Sequence, residues 1–320
     1  MSMAPAAGYG VVFPGQGSQH VGMLAELGGQ HPVVLSTFAE ASAVLGYDLW
    51  QLIQSGPAEQ LSLTHIAQPA ILTCSVAIWR IWQQRVSAMP TLMAGHSFGE
   101  YSALVCADAL DFATAVSLVR QRGEFMQGAV PVGTGTMVAI LGLEDAVVAQ
   151  CCREASAAGV VCASNFNSPG QVVISGHNAA VEQAVVLCKQ AGCKRALPLA
   201  VSAPFHSPLM EPAAVKFAQV LAGVEIRQPK VPVIQNVGVA SSSDPATIKQ
   251  NLVAQLASPV PWVATMQLFA ARGVHKLMEL GPGKALAGFN KRIDAALDTS
   301  SVNDADSLEK AVQSLNLPTG

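Results

Sequence analysis

Residues Gly95-His96-Ser97-Phe98-Gly99-Glu100 impose the tightest constraint on what this chain can fold into. The run reads G-x-S-x-G, a pattern in which a serine sits at a sharp turn from a strand into a helix. Small residues on either side let the backbone turn tightly, so the serine hydroxyl projects outward. The N–H groups that open the following helix then face any oxyanion formed there. The flanks provide the two elements that such a turn joins. Pro90-Thr91-Leu92-Met93-Ala94 is short and apolar enough for a buried strand, and residues 101–109 form an unbroken stretch of mainly Ala, Leu and Val suited to a buried helix. Glycine-rich loops also show this spacing. Ser97 is therefore a candidate nucleophile, with a structural turn as the competing reading.

The alternation of strand and helix continues on both sides. Val11-Val12-Phe13 reads as a first strand that runs into the glycine-rich loop Pro14-Gly15-Gln16-Gly17-Ser18-Gln19. Helical patterns follow at residues 32–45, 58–63 and 68–85, and Asp111 is placed to cap a helix over 112–130. Such alternation marks an α/β domain. The rhythm changes near Pro131. Strand signals at 137–141, 160–165, 171–175 and 194–199 are separated by helical signals at 143–158 and 179–191, with Asn167-Ser168-Pro169-Gly170 as a turn. That β-α-β-β-α-β order predicts a ferredoxin-like subdomain of about 70 residues, a reasonable size for one unit. It would span residues 131–199 and interrupt a larger α/β domain made of 1–130 and 200–320. The larger domain resumes with a helix over 209–224, a strand over 231–236, a helix over 245–257 and a strand over 276–279; the last dozen residues are expected to fray.

The 320 residues are 51% hydrophobic and 12% charged, enough apolar material for a large core and too little charge for a disordered chain. The most apolar run, residues 69–79, stops at Arg80 and falls short of the roughly 20 residues that a membrane span needs. Residues 1–10 have neither a basic nor a long apolar region, so a secretory signal is not expected. The seven cysteines lack metal-type C-x-x-C pairs and lie mostly in apolar segments, which reads as reduced thiols of a cytoplasmic protein without a metal. The net charge of −3 is unevenly spread. Residues 1–188 carry 5 basic and 12 acidic side chains (−7), and residues 189–320 carry 13 and 9 (+4). No dense basic stripe is present, which argues against nucleic acid as partner. The mild positive balance of the second half suits an anionic partner.

A serine needs a base to take its proton, and seven histidines are available. His96 is adjacent to Ser97, where neighbouring side chains diverge. His206 lies in Ser202-Ala203-Pro204-Phe205-His206-Ser207-Pro208-Leu209-Met210, a loop that two prolines fix between a strand and a helix. It is the favoured base, beside the alternative of a histidine that caps the next helix.

Six motifs in order now stand out: Phe13–Gln19, Gly95–Glu100, Arg122-Gly123, Asn165-Phe166-Asn167-Ser168-Pro169-Gly170-Gln171, the His206 loop and Glu279-Leu280-Gly281-Pro282-Gly283-Lys284. Together they resemble the acyltransferases of fatty acid and polyketide synthesis, malonyl-CoA:acyl-carrier-protein transacylases among them, from residue 11 to about residue 292. The resemblance implies an α/β-hydrolase-like large domain with a parallel-sheet core. It makes Ser97 the nucleophile and His206 the general base, oriented by the backbone carbonyl of Gln255 in a dyad rather than a triad. The backbone N–H groups of Gln16 and Phe98 would form the oxyanion hole, with Phe98 standing where the family often has leucine.

Arg122 would bind the malonyl carboxylate, since a guanidinium can grip a carboxylate through two parallel hydrogen bonds. Arg120, two positions away on the same helix, would face elsewhere. Asn165 and Asn167 would either contact the pantetheine arm or satisfy a turn. Gln68 would be structural, and Gly281–Lys284 would form a supporting turn that lacks P-loop spacing, with Lys284 a candidate for anionic ligands. The implied partners are malonyl-CoA and an acidic acyl carrier protein, served by a cytoplasmic, monomeric enzyme without cofactor or membrane contact. A polyketide pathway, a serine hydrolase and a catalytically silent carrier-binding module are the alternatives. A hydrolase of the α/β class places its histidine late in the chain, whereas more than a hundred residues follow His206.

Overall fold

Nine strands run through the described residues, 8–201 and 203–316 of a computed structural model: β1 (Tyr9–Phe13), β2 (Leu92–Gly95), β3 (Gly135–Leu141), β4 (Val161–Ser168), β5 (Gln171–His177), β6 (Arg195–Pro198), β7 (Val233–Ile234), β8 (Lys276–Leu280) and β9 (Asp298–Val302). Residues 1–7, which make up most of the 1–10 stretch where no secretory signal is expected, Ser202 and the last four residues lie outside the described residues. β1 and β2 are buried along their whole length, as continuous apolar strands inside a parallel sheet must be. The sheet order is β7-β2-β1-β8-β9, and every pair in it is parallel.

Helix Thr64–Arg85 covers the sheet and is buried around most of its circumference, which suits its low content of charge. Its Trp82 Nε1 donates to the Tyr9 hydroxyl at 3.1 Å, and that hydroxyl donates to the Ala88 carbonyl at 2.8 Å. Both ends of the contact are thereby satisfied in the core.

The strands β3 to β6 form a separate antiparallel sheet in the order β4-β5-β3-β6. Helices Asp145–Ala155 and Asn178–Gln190 lie on it, so the β-α-β-β-α-β order read from the sequence yields the ferredoxin-like arrangement. Its small core is its own, built from residues such as Val148, Cys152, Ile140, Ile174 and Ala184. β4 also joins the larger body by its backbone. Phe166 N–H donates to the Val260 carbonyl (2.9 Å), and Val260 N–H donates to the Ser164 carbonyl (2.8 Å).

Several expectations need correction. β4 continues through Asn167 and Ser168, so these residues are strand rather than turn; two register irregularities in its pairing with β5 let the strand bend there. β7 is two residues long instead of six. The sequence pattern did not reveal β9, whose polar residues Asp298, Thr299, Ser300 and Ser301 suit an edge strand. Helix Ala305–Asn316 extends into the last dozen residues, where fraying is expected; residues 317–320 lie outside the described residues. The seven cysteines are free thiols, five of them buried. No helix among the described residues is long and apolar enough to cross a membrane.

Candidate active site

The carboxyl ends of four parallel strands converge on one cleft, the place where open α/β sheets collect ligands. β1 leads into the Gln16 loop, β2 into Ser97, β7 into Asn236 and β8 into Gly281. The Ser97 turn is set by space. A Cβ on Gly95 would lie 1.8 Å from the Gly99 carbonyl carbon, and one on Gly99 would lie 2.5 Å from the Phe13 carbonyl oxygen. Ser97 itself adopts φ +55°, the left-handed conformation that L-residues avoid. Asn236 holds it there. Ser97 N–H donates to Asn236 Oδ1 (2.9 Å), and Asn236 Nδ2 donates to the Gly95 carbonyl (2.7 Å). Helix Gly99–Cys106 begins at once, two residues earlier than the sequence suggested.

His206 also has a positive φ, +57°, which aims its ring at the serine. Its Nε2 lies 2.7 Å from Ser97 Oγ, and its Nδ1 faces the carbonyls of Gln255 (3.0 Å) and Ser258 (3.1 Å). Carbonyl oxygens only accept, so Nδ1 carries the hydrogen and Nε2 is left to accept the serine proton. No carboxylate among the described residues pairs with the ring. Burial, then the Arg122 charge, push the His206 pKa down to about 3 from an ordinary 6.5, against the pull of the two carbonyls.

A histidine pushed this low stays neutral far below neutral pH. Acylation measured by rapid quench is expected to hold its rate from pH 8 to about pH 5, where an unperturbed histidine would already be mostly protonated. The linkage has the opposite cost. Below 6.5 the unfolded chain takes up a proton that folded His206 refuses until about 3, so stability is lost as pH falls through that window.

The cleft has a volume of about 540 Å³, and its lining includes Gln16, Ser97, Phe98, Arg122, Asn165 and Asn167. Among the described residues, the backbone N–H groups of Gln16 and Phe98 have no acceptor within the protein. Both are available to an oxygen beside Ser97. Asn167 Oδ1 pairs with His96 Nε2 at 2.8 Å, so His96 turns away from the serine, as its neighbour position suggested. Its ring packs against Trp262 and Phe289. Asn165 Oδ1 accepts from Ser164 Oγ at 2.8 Å.

Arg122 comes from helix Phe112–Gln127, and its side chain ends inside the site with 1% exposure. Gly123 permits this: a Cβ there would lie 2.6 Å from His65 Cα, so the helix approaches the start of helix Thr64–Arg85. Nη1 donates to Gln68 Oε1 (3.0 Å), Nη2 donates to Gln255 Oε1 (2.9 Å), and Nη2 lies 3.4 Å from Ser97 Oγ. Two amide oxygens hold this cation, and no carboxylate among the described residues pairs with it directly. Arg120 is half-exposed and points to Glu124 at 3.6 Å, as the helix geometry required.

Reading the sequence overlooked two residues and undervalued a third. Gln68, expected to be structural, accepts from Arg122 Nη1 at the site. Glu100 is 1% exposed and accepts from Gln255 Nε2 (2.7 Å) and Asn236 N–H (2.9 Å). It is the only charged residue between Arg85 and Asp108, which is the signal that could have singled it out. Asn236 follows a short apolar strand, and its place at a strand's carboxyl end was the available clue. The Gly281 turn is braced by Glu279, which accepts from the N–H groups of Leu286 and Ala287 (both 3.0 Å). Lys284 is exposed and lies outside the cleft lining. No cluster of three or more metal-ligating side chains occurs among the described residues.

The family model of the acyl transferase domain matches residues 11–308, nearly the whole chain. The chain belongs to that family. Among curated relatives of this acyl transferase, the malonyl CoA-acyl carrier protein transacylase of Salmonella typhimurium is 57% identical over 304 residues, covering 95% of this chain and 98% of the relative. Among solved structures, an acyl carrier protein S-malonyltransferase from Vibrio cholerae superposes with a TM-score of 0.93 at 56% identity, covering 94% and 99% of the two chains. A malonyl-transacylase solved in complex with its type II polyketide acyl-carrier protein superposes with a TM-score of 0.95 at 52% identity, covering 96% and 99%. These likenesses place the acyl transferase within an α/β fold of a parallel-sheet core plus a ferredoxin-like insert.

Proposed function

We propose that this acyl transferase moves the malonyl group from malonyl-CoA to the phosphopantetheine thiol of an acyl carrier protein through a malonyl-Ser97 ester, in fatty acid synthesis. One observation carries the reading: Ser97 Oγ lies 2.7 Å from a neutral histidine nitrogen and 3.4 Å from a buried arginine whose charge no carboxylate directly neutralises. The base answers to acyl transfer, and the cation answers to an acyl group that ends in a carboxylate.

His206 Nε2 takes the Ser97 proton while Oγ attacks the thioester carbonyl, and the oxyanion meets the Gln16 and Phe98 N–H groups. The C–S bond breaks, His206 returns the proton to the departing sulfur, and coenzyme A leaves. The carrier thiol then gives its proton to His206 and attacks the ester, and Ser97 recovers a proton as the thioester forms. Arg122 fixes the carboxylate throughout and so aligns the carbonyl with Ser97. Asn165 and Asn167 face the arm of the incoming thioester. The division of the chain into 1–130, 131–199 and 200–320 and a cytoplasmic location belong to the same reading.

Intact-mass measurement tests it. Malonyl-CoA should add one malonyl group, and carrier protein should then remove it. Rapid release of free malonate without carrier would instead indicate a hydrolase, and absence of any adduct a silent binding module. The similarity to a polyketide enzyme–carrier complex keeps one second reading, service to a polyketide carrier; comparing kcat/KM for the two kinds of carrier decides between them. With an acidic carrier and a net +4 over residues 189–320, kcat/KM for carrier should fall several-fold as salt rises from about 0.05 to 0.5 M, while malonyl-CoA hydrolysis stays flat. Salt-insensitive kinetics would count against docking on that half.

A further inference from the structure

We infer that Glu100, which does not line the cleft, is the positioning residue for Arg122 and acts through the side chain of Gln255. The inference rests on the malonyl-transfer reading above.

Gln255 carries two separate duties. Its backbone carbonyl accepts from His206 Nδ1, and its side-chain amide lies between three groups. Nε2 donates to Glu100 Oε2 (2.7 Å) and to the Ser97 carbonyl (3.1 Å), while Oε1 accepts from Arg122 Nη2 (2.9 Å). An amide turned over would set its oxygen against the carboxylate and its nitrogen against the guanidinium. An acceptor oxygen at position 100, held toward Gln255 by the Asn236 N–H that donates to the same atom, therefore allows one orientation only, the one that presents an acceptor to Arg122.

Glu100 can serve as a fixed anchor because it is itself immobilised. Oε2 also accepts from Asn236 N–H (2.9 Å), and Oε1 accepts from Gln235 Nε2 (3.2 Å). Gln235 is pinned in turn, since its Oε1 accepts from Asn251 Nδ2 at 2.9 Å. The chain of contacts runs from backbone to carboxylate, to amide, to guanidinium. Burial raises the Glu100 pKa, and the Asn236, Gln235 and Gln255 bonds together with the Arg122 charge draw it back.

Two conservative variants separate reach from charge. Glu100→Asp keeps the carboxylate but withdraws it by one methylene from Gln255; Glu100→Gln keeps the reach and removes the charge. The readout is kcat/KM for malonyl-CoA divided by that for acetyl-CoA, which a loss of general stability leaves unmoved. E100D is expected to lower this ratio about tenfold, mainly through a raised malonyl-CoA KM, and E100Q to stay within threefold of the parent. A ratio within threefold for E100D, a parallel fall for both substrates, or a loss in E100Q that E100D does not share would overturn the inference.

Should E100D fail to fold, Gln255→Leu carries the same expectation, because it keeps the backbone carbonyl under His206 and removes the amide. In that background E100Q should change malonyl transfer by less than threefold, and a larger change overturns the inference. Failure of the functional reading is distinct: the parent enzyme would then gain no malonyl mass at all.

Discussion

Ser97→Ala is expected to abolish the covalent malonyl adduct and to lower malonyl transfer by a factor on the order of 10⁴ or more, since nucleophile and base act as one unit. The fold should survive the change. Among the described residues, Ser97 Oγ hydrogen-bonds only with His206 and Arg122, while the strained backbone at this position is held by Asn236 and by the two glycines rather than by the hydroxyl. Intact-mass analysis after malonyl-CoA, followed by peptide mapping, is the measurement. A variant that still gains malonyl mass, or a parent adduct that maps to another residue, would remove Ser97 from its role. His206 in the variant loses its partner but keeps both carbonyl bonds at Nδ1, so little rearrangement is expected around it.

Arg122→Ala should separate the acyl groups by charge. Removing one partner of a buried charged contact costs about 2–5 kcal/mol, which is roughly 30- to 5,000-fold in kcat/KM for malonyl-CoA. Acetyl-CoA has no carboxylate to lose, and it gains room where the guanidinium stood, so its transfer should persist or rise. The removal also lifts a positive charge from beside His206, one of the influences that lowers its pKa, so the acid limb of the variant's pH profile should move upward. Steady-state kinetics with both thioesters across pH 4–8 checks each statement. Malonyl preference that survives intact would mean that another group reads the carboxylate.

Much of the arrangement around Ser97 is legible in the sequence. The elbow glycines are legible because their reason is local: each lacks a Cβ for want of space against residues of the same turn or of the adjacent β1. The ferredoxin-like insert was legible because its strands and helices alternate within about 70 residues, each with ordinary periodicity. His206 was less clear, since its loop chemistry suited a base and a helix cap equally. The Gln255 carbonyl entered only through family resemblance. What escaped was the layer behind the reacting groups. Glu100, Asn236 and the Gln255 side chain meet across 136 and 155 positions of sequence, and no spacing rule connects residues that far apart. Asn167 was misplaced into a turn because Ser168-Pro169-Gly170 is a strong breaker, yet tertiary pairing with β5 carries β4 to Ser168.

The bond between β4 and Val260 has a consequence for recombination. The insert joins the larger body through Ser164 and Phe166, and the partner residue stands two positions after Ser258, whose carbonyl faces His206 Nδ1. A graft that exchanges residues 131–199 between two relatives would therefore replace one side of that seam and retain the other. The crossover that respects the seam takes the 255–260 segment together with the insert, although the two are far apart in the gene. What reads as a modular cassette along the chain is, at the level of His206, shared property.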